Sequence, residues 1–237
     1  MRIPTWPRGK TGLADWLFGG TCYLCRGASR TGVLCAPCCA DLPRLPRPRC
    51  PRCALPVAAG TPCGRCLGDP PAFDATAAVF DYAFPADVLI QGLKFRGELA
   101  LAPLLAGHLA EEIGAGTADR VDFIVPVPLH AGRLAERGYN QSVEIARGVA
   151  ARLQIPLVGD LCERVRSTPA QTDLPWKARR ENVRGAFSCK RALDALRVAV
   201  VDDVMTTGAT LHEIATTLKQ FGAARVVNWV VARTTVD

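Results

Sequence analysis

No apolar run in this chain of 237 residues approaches the roughly 18 residues that a membrane-spanning helix needs. No export leader is expected either: Pro7 and Asp15 interrupt any apolar stretch before Cys22, so a cytoplasmic location is the expectation. Acidic residues are scarce at one end. The first 72 residues hold 10 Lys/Arg against 3 Asp/Glu, and the remainder is balanced, so the whole excess of +7 falls on the N-terminal third. Either this is the footprint of a polyanion partner or it keeps a small Arg-rich segment in solution. The same stretch is poor in large aliphatic residues and cannot build much core of its own, so it needs staples. No helix-turn-helix pattern is evident, which weighs against a transcriptional regulator. With 49% hydrophobic residues the chain can still bury a proper core, and that excludes disorder over most of its length.

Nine of the eleven cysteines lie between Cys22 and Cys66. Their spacing is Cys22-x2-Cys25, nine residues, Cys35-x2-Cys38, then Cys50-x2-Cys53, nine residues, Cys63-x2-Cys66. Two residues between cysteines let both thiolates reach one ion from a tight turn. Two such turns supply a tetrahedral four-sulfur shell, the preference of structural Zn2+. Disulfides would need an oxidising compartment, for which the chain shows no export signal. Two structural zinc sites are therefore expected, each closed by four cysteines and so without an open catalytic position. The spacing leaves open whether neighbouring turns pair or interleave, and whether Cys39 is a spare thiol or replaces Cys38. Composition shifts at Gly68-Asp69-Pro70-Pro71, which divides a cysteine-rich domain, 1–70, from a second domain, 71–237.

Beyond that boundary strand-like and helix-like stretches alternate. Segments 75–82, 121–127, 198–201 and 226–231 read as strands, while 99–113, 141–153 and 211–221 carry apolar residues at helical spacing. Asn140 is a candidate cap for the second helix, and Gly222 a stop for the third. This alternation predicts an α/β fold with a mostly parallel sheet. The polar stretch 166–184 shows no period and reads as a functional or mobile loop.

The stretch Val200-Val201-Asp202-Asp203-Val204-Met205-Thr206-Thr207-Gly208-Ala209-Thr210 carries the most chemistry. A buried strand runs into two carboxylates, then into a short loop of Thr, Gly and Ala before a helix. Gly208 lets the backbone curl so that successive N–H groups converge. Thr206, Thr207 and Thr210 add hydroxyls, and the helix N-terminus adds a favourable dipole. That is a phosphate cradle. Asp202 and Asp203 at its entrance would repel a bare phosphate, so they should face hydroxyls, as on a ribose whose 5′-phosphate sits in the loop.

This run resembles the phosphoribosyl pyrophosphate signature of type I phosphoribosyltransferases. The resemblance implies that Asp202 and Asp203 take the ribose hydroxyls, that Thr206, Thr207, Gly208, Ala209 and Thr210 take the 5′-phosphate, and that Mg2+ accompanies the ligand. Members acting on 6-oxopurines place an Asp where this chain has Thr206, which disfavours that substrate class. The whole chain is similar to the competence-protein-F (ComF) family, a double zinc ribbon followed by a type I phosphoribosyltransferase-like domain. Further matching stretches are Leu93-Lys94-Phe95, Pro126-Val127-Pro128, Arg137-Gly138-Tyr139-Asn140-Gln141, and the series Thr168, Gln171, Leu174, Arg180, Asn182 ending at Gly185-Ala186-Phe187.

By the same resemblance Pro128 and Leu129 lie in a pyrophosphate loop, Lys94 and Arg137 are either pyrophosphate-neutralising or ordinary surface cations, and 166–184 with Lys177 forms a lid. Tyr139 is either core or a stacking platform, and His108 and His130 read as structural or solvated. Two functions follow as expectations. One is a phosphoribosyl-pyrophosphate-binding protein linked to DNA uptake or utilisation, with single-stranded DNA and DNA-uptake proteins as partners of an Arg-rich ribbon. The alternative is an enzyme transferring phosphoribose to an unidentified acceptor, with the ribbon only structural. No residue stands out as a base for such an acceptor.

Overall fold

A computed structural model describes residues 20–30, 32–115, 120–166 and 182–235. Two compact units divide between Leu42 and Pro43. In the first, β1 (Gly20–Thr21) pairs antiparallel with β2 (Ala28–Ser29). The tight turn between them is closed by Cys22 N–H to Gly27 O at 2.8 Å and Arg26 N–H to Cys22 O at 3.0 Å. A short helix α1 (Ala36–Ala40) follows, started by Pro37 and with Cys35 at its N-cap.

The second unit opens with the other cysteine turns and α2 (Gly64–Gly68). Then come β3 (Ala75–Asp81), α3 (Ala86–Phe95), α4 (Leu101–Ala115), β4 (Phe123–Pro126), α5 (Ala131–Arg137) and α6 (Gln141–Leu153). A small antiparallel pair, β5 (Cys162–Arg164) with β6 (Phe187–Cys189), precedes β7 (Arg197–Met205), α7 (Ala209–Gln220) and β8 (Arg225–Arg233). The main sheet runs β3-β8-β7-β4 and is parallel at every pairing. Parallel neighbours need crossovers, and the helices between strands supply them. β7 and β8 are apolar along most of their length because both faces are covered.

Helices α4 and α6 pack on each other and on the sheet. Gly148 permits the approach, since a Cβ there would lie 2.6 Å from the Ala106 Cβ. Elsewhere in the unit, Val198, Val200, Val226 and Val230 share one apolar cluster with Leu211, Ile214 and Leu218 of α7. Leu45, Cys50, Cys53 and Cys66 belong to that same cluster. The second cysteine module therefore lacks a core of its own and shares that of the sheet, which is how a Pro- and Cys-rich segment of this size avoids exposing apolar surface. The compositional change at 68–71 marks where Cys and Pro thin out, whereas the division between compact units falls earlier, at 42/43.

The expected strands and helices are present with bounds shifted by a few residues. β7 is longer than the apolar run 198–201, because its ladder to β8 continues through Asp202↔Val230, Val204↔Ala232 and Met205↔Arg233. Backbone pairing does not require apolar side chains. Helices α3 and α5 and the β5–β6 pair were not anticipated.

Candidate functional site

Asp202 and Asp203 end β7, at the carboxyl edge of the parallel sheet, where open α/β folds place their ligands. Both are buried. Asp202 Oδ1 accepts from Ser142 Oγ of α6 and from the Asp203 N–H, each at 2.9 Å. Asp203 Oδ1 accepts from the Val204 N–H at 2.7 Å. Its Oδ2 lies 3.1 Å from Lys94 Nζ, an ion-pair distance, yet makes no hydrogen bond. Lys94 also donates to Asp203 Oδ1 at 3.4 Å, so one ammonium serves both oxygens of this carboxylate. Desolvation, reinforced by the negative charge of Asp203, pushes the Asp202 carboxyl up to about 7, against the pull of Lys94 and Ser142. Asp203 in turn holds the Lys94 ammonium above the ordinary lysine range.

The loop after β7 turns at Gly208, whose φ of 82° is left-handed and which caps α7. Thr207 Oγ1 accepts from the Ala209 N–H at 3.2 Å and shapes the helix start. The amides of the first turn of α7 have no acceptor within the helix and carry its positive dipole end. Behind the loop stands Arg233, 1% exposed. Its guanidinium donates to the carbonyls of Met205 (3.0 Å), Thr206 and Thr234, and through Nε to Cys53 O at 3.0 Å. Arg65, on α2, donates to Thr207 O at 2.6 Å.

After β4 the chain continues through Val127, whose N–H donates to Val201 O at 2.9 Å, into Pro128 and Leu129, both half-buried. Asn140 pins this segment by donating to Val127 O at 2.9 Å, while its Oδ1 accepts from Ser142 N–H and caps α6. The structure thus brings Lys94, Asp202 and Asp203 together, with Ser142 and Asn140 bracing them. Arg137 lies instead over the exposed ring of Phe95, 5.5 Å from its centroid, and donates to Gln141. Tyr139 is half-buried and its hydroxyl donates to Leu93 O. His130 caps α5 by accepting from the Gly132 N–H. Lys177 and most of the expected lid lie outside the described residues.

The two cysteine clusters assemble from neighbouring turns and not interleaved ones. In each set, Cys22, Cys25, Cys35, Cys38 and Cys50, Cys53, Cys63, Cys66, all four Sγ atoms lie within 4.8 Å of one another. Cys25 and Cys35 Sγ are 3.7 Å apart, Cys53 and Cys63 Sγ 3.6 Å. A tetrahedral Zn2+ with Zn–S bonds of about 2.3 Å demands edges of about 3.8 Å, so both shells fit zinc. The Cys63 N–H points at Cys50 Sγ at 3.3 Å, a contact that favours a thiolate. Cys39 belongs to neither set. Cys162, opposite Cys189 across β5–β6, is buried and its thiol is pushed up to about 12, which leaves it unreactive.

Within the Arg-rich ribbon, Arg44, Arg47 and Arg49 make contacts inside the chain, although Arg44 and Arg47 stay exposed. Arg47 and Arg49 converge on Glu112 of α4 at 2.6 and 2.7 Å, and Arg49 also donates to Ala78 O. Arg44 stacks over Phe80 and meets His108 Nδ1 at 3.0 Å. Burial and Arg44 hold His108 below its usual range, so it stays neutral. These side chains fasten the linker to the sheet.

Sequence reasoning missed Ser142, Arg65 and Arg233. The last had a signal: Arg233 directly follows the apolar run Val230-Val231-Ala232, and where such an Arg is buried it needs acceptors.

Residues 13–67 match the double zinc ribbon domain family, and residues 140–234 the phosphoribosyl transferase domain family. Over 226 residues the chain is 37% identical to the DNA utilization protein YhgH of Salmonella typhimurium, covering 91% of this chain and 97% of that protein. The protein of the same name from Escherichia coli K12 is 35% identical over 225 residues, with the same coverage. The competence protein F of Haemophilus influenzae is 33% identical over 227 residues, covering 91% of this chain and 98% of that one.

Proposed function

This chain belongs to the family of competence protein F and DNA utilization protein YhgH, and on that premise we propose that it binds phosphoribosyl pyrophosphate at the end of β7. The observation that carries this reading is the buried acid pair, with Lys94 3.1 Å from Asp203 Oδ2, at the mouth of a helix-capped loop. Asp202 and Asp203 accept from the ribose 2′- and 3′-hydroxyls. The loop of Thr206, Thr207, Gly208, Ala209 and Thr210 surrounds the 5′-phosphate with amide donors, threonine hydroxyls and the dipole of α7.

Lys94 pairs with Asp203 in the unliganded chain and turns to the pyrophosphate when the polyanion arrives. Pro128 and Leu129 flank the pyrophosphate, with Arg137 and Lys177 as further cations. Mg2+ bound with the ligand would supply positive charge against the diphosphate beyond that of Lys94. The carboxylates of the pair are the hard oxygen groups that suit its water shell.

The relatives' names, DNA utilization protein and competence protein F, support a role in DNA utilisation or competence, and single-stranded DNA is the partner this reading adds. Of the linker arginines, Arg44 and Arg47 remain exposed and open to a polyanion, whereas Arg49 is mostly buried against Glu112. Calorimetry with phosphoribosyl pyrophosphate and Mg2+ tests the site, with ribose 5-phosphate as competitor. Saturable binding that ribose 5-phosphate displaces supports the assignment; binding that ribose 5-phosphate in excess leaves unchanged would contradict the place given to the 5′-phosphate.

A further inference from the structure

Three successive carbonyls of the loop are tied down from behind. Met205 O and Thr206 O accept from Arg233, and Thr207 O accepts from Arg65. In a trans peptide the C=O and the following N–H point in opposite directions. Fixing these three carbonyls on the back therefore turns the amides of Thr206, Thr207 and Gly208 to the opposite side. A run of such amides is an anion-binding nest. Both cations belong to the second cysteine module or touch it: Arg65 lies one residue before the ligand Cys66, and Arg233 Nε grips the carbonyl of the ligand Cys53. A cavity lined by Cys53, Arg65, Cys66, Met205, Thr207 and Gly208 marks where module and loop face each other.

We infer that Arg233 and Arg65 are positioning residues through which the second four-cysteine site holds the phosphate loop in its binding form. The second zinc site is thus part of the ligand site's scaffold, although no cysteine touches the ligand. This inference rests on the phosphoribosyl reading above. It adds a thermodynamic consequence: coupling is reciprocal, so ligand bound in the loop must also retain metal in the second site. The first site lies in the other compact unit and serves as the internal control.

The test follows zinc release from the full chain to a colorimetric chelator, with and without saturating phosphoribosyl pyrophosphate and Mg2+. Calorimetry on the same preparation shows whether the ligand is bound. Ligand is expected to slow the loss of one zinc of the two by fivefold or more. Cys22→Ser, which disables the first site, should leave the protected zinc in place.

Arg65→Met and Arg233→Met should lower ligand affinity about tenfold or more and abolish the protection. Arg65 is half-buried and outside the sheet, so its variant keeps the test alive if Arg233→Met does not fold. Arg65→Lys should recover part of both effects, which a purely structural role in α2 would not require. Ligand bound with both zincs leaving at unchanged rates overturns the coupling alone. Absence of binding to the unmodified chain overturns the phosphoribosyl reading and the coupling with it.

Discussion

Asp202→Asn should make the unliganded protein more stable, and more so as pH rises. In the unfolded chain this carboxyl titrates near 3.8, and in the folded chain near 7, chiefly because burial strips water from its charge. The folded state therefore keeps a proton that the unfolded state releases, so the stability this group contributes is complete below pH 4 and fades as pH climbs to 7. At about 1.4 kcal/mol per pH unit, the cost of the native Asp is about 2 kcal/mol near pH 5.5 and about 4 kcal/mol above pH 7. Part of the Asp202 shift comes from the neighbouring negative charge of Asp203, so these are upper figures and the measured gain should be about half to all of them.

Asn preserves the geometry. Its Oδ1 can still accept from Ser142 Oγ and from the Asp203 N–H. For a chain of this size each kcal/mol is about 2–4 °C of Tm. Urea unfolding and thermal melts of both proteins at pH 5.5 and pH 8 give the answer. A stability gap that does not widen between the two, or a variant less stable at pH 8, refutes the reasoning. A stabilised variant that binds ligand worse would mark the acid pair as a feature kept at the expense of stability.

Chelating zinc should destabilise the larger unit as well as the smaller one, because Cys50, Cys53 and Cys66 sit in the core of the sheet; far-UV dichroism and an unchanged melt of the α/β unit would contradict that. Glu112→Ala should cost about 1–3 kcal/mol by urea titration, since it strands the mostly buried Arg49 along with Arg47. A cost near zero would return these pairs to ordinary surface contacts. Gly208→Ala should both lower stability by about 1–3 kcal/mol and cut ligand affinity about tenfold or more. The reason is that its φ is 82° and a Cβ would lie 2.6 Å from Met205 Cε. Unchanged melting and unchanged calorimetry would show that the loop tolerates a side chain.

Features governed by short-range rules were legible in the sequence. Two-residue spacing must put both thiolates on one ion, and a Gly in a Thr-rich turn after a buried strand must curl the backbone, so both cysteine sets and the loop could be named in advance. Helical spacing located α4, α6 and α7 for the same reason. The pairing of β5 with β6 could not be read, since three-residue strands are too short to show a period. Helix α3 escaped because its apolar residues sit close together without a clear cap. The bracing of the acid pair by Ser142, and of the loop by Arg65 and Arg233, joins residues 27 to 142 positions apart in the chain, and nothing local to any of them declares the partner. Composition revealed that the ribbon lacks a core, but not that its second half would share the sheet's. That sharing changes what the arginines between the cysteine sets do: they face Glu112, His108 and Phe80 as fasteners.

The central claim is that the acid pair and the loop form a working phosphoribosyl pyrophosphate site. Calorimetry of the unmodified protein and of the double variant Asp202→Asn, Asp203→Asn, with Mg2+ present and at pH 8, tests it most directly. Removing two negative charges should by simple electrostatics strengthen the binding of a polyanion. If the carboxylates hold the ribose hydroxyls, the double variant must instead bind more weakly, by about 1–3 kcal/mol, or about five- to 150-fold. Equal or tighter binding by the double variant, or no binding by either protein, would contradict the account.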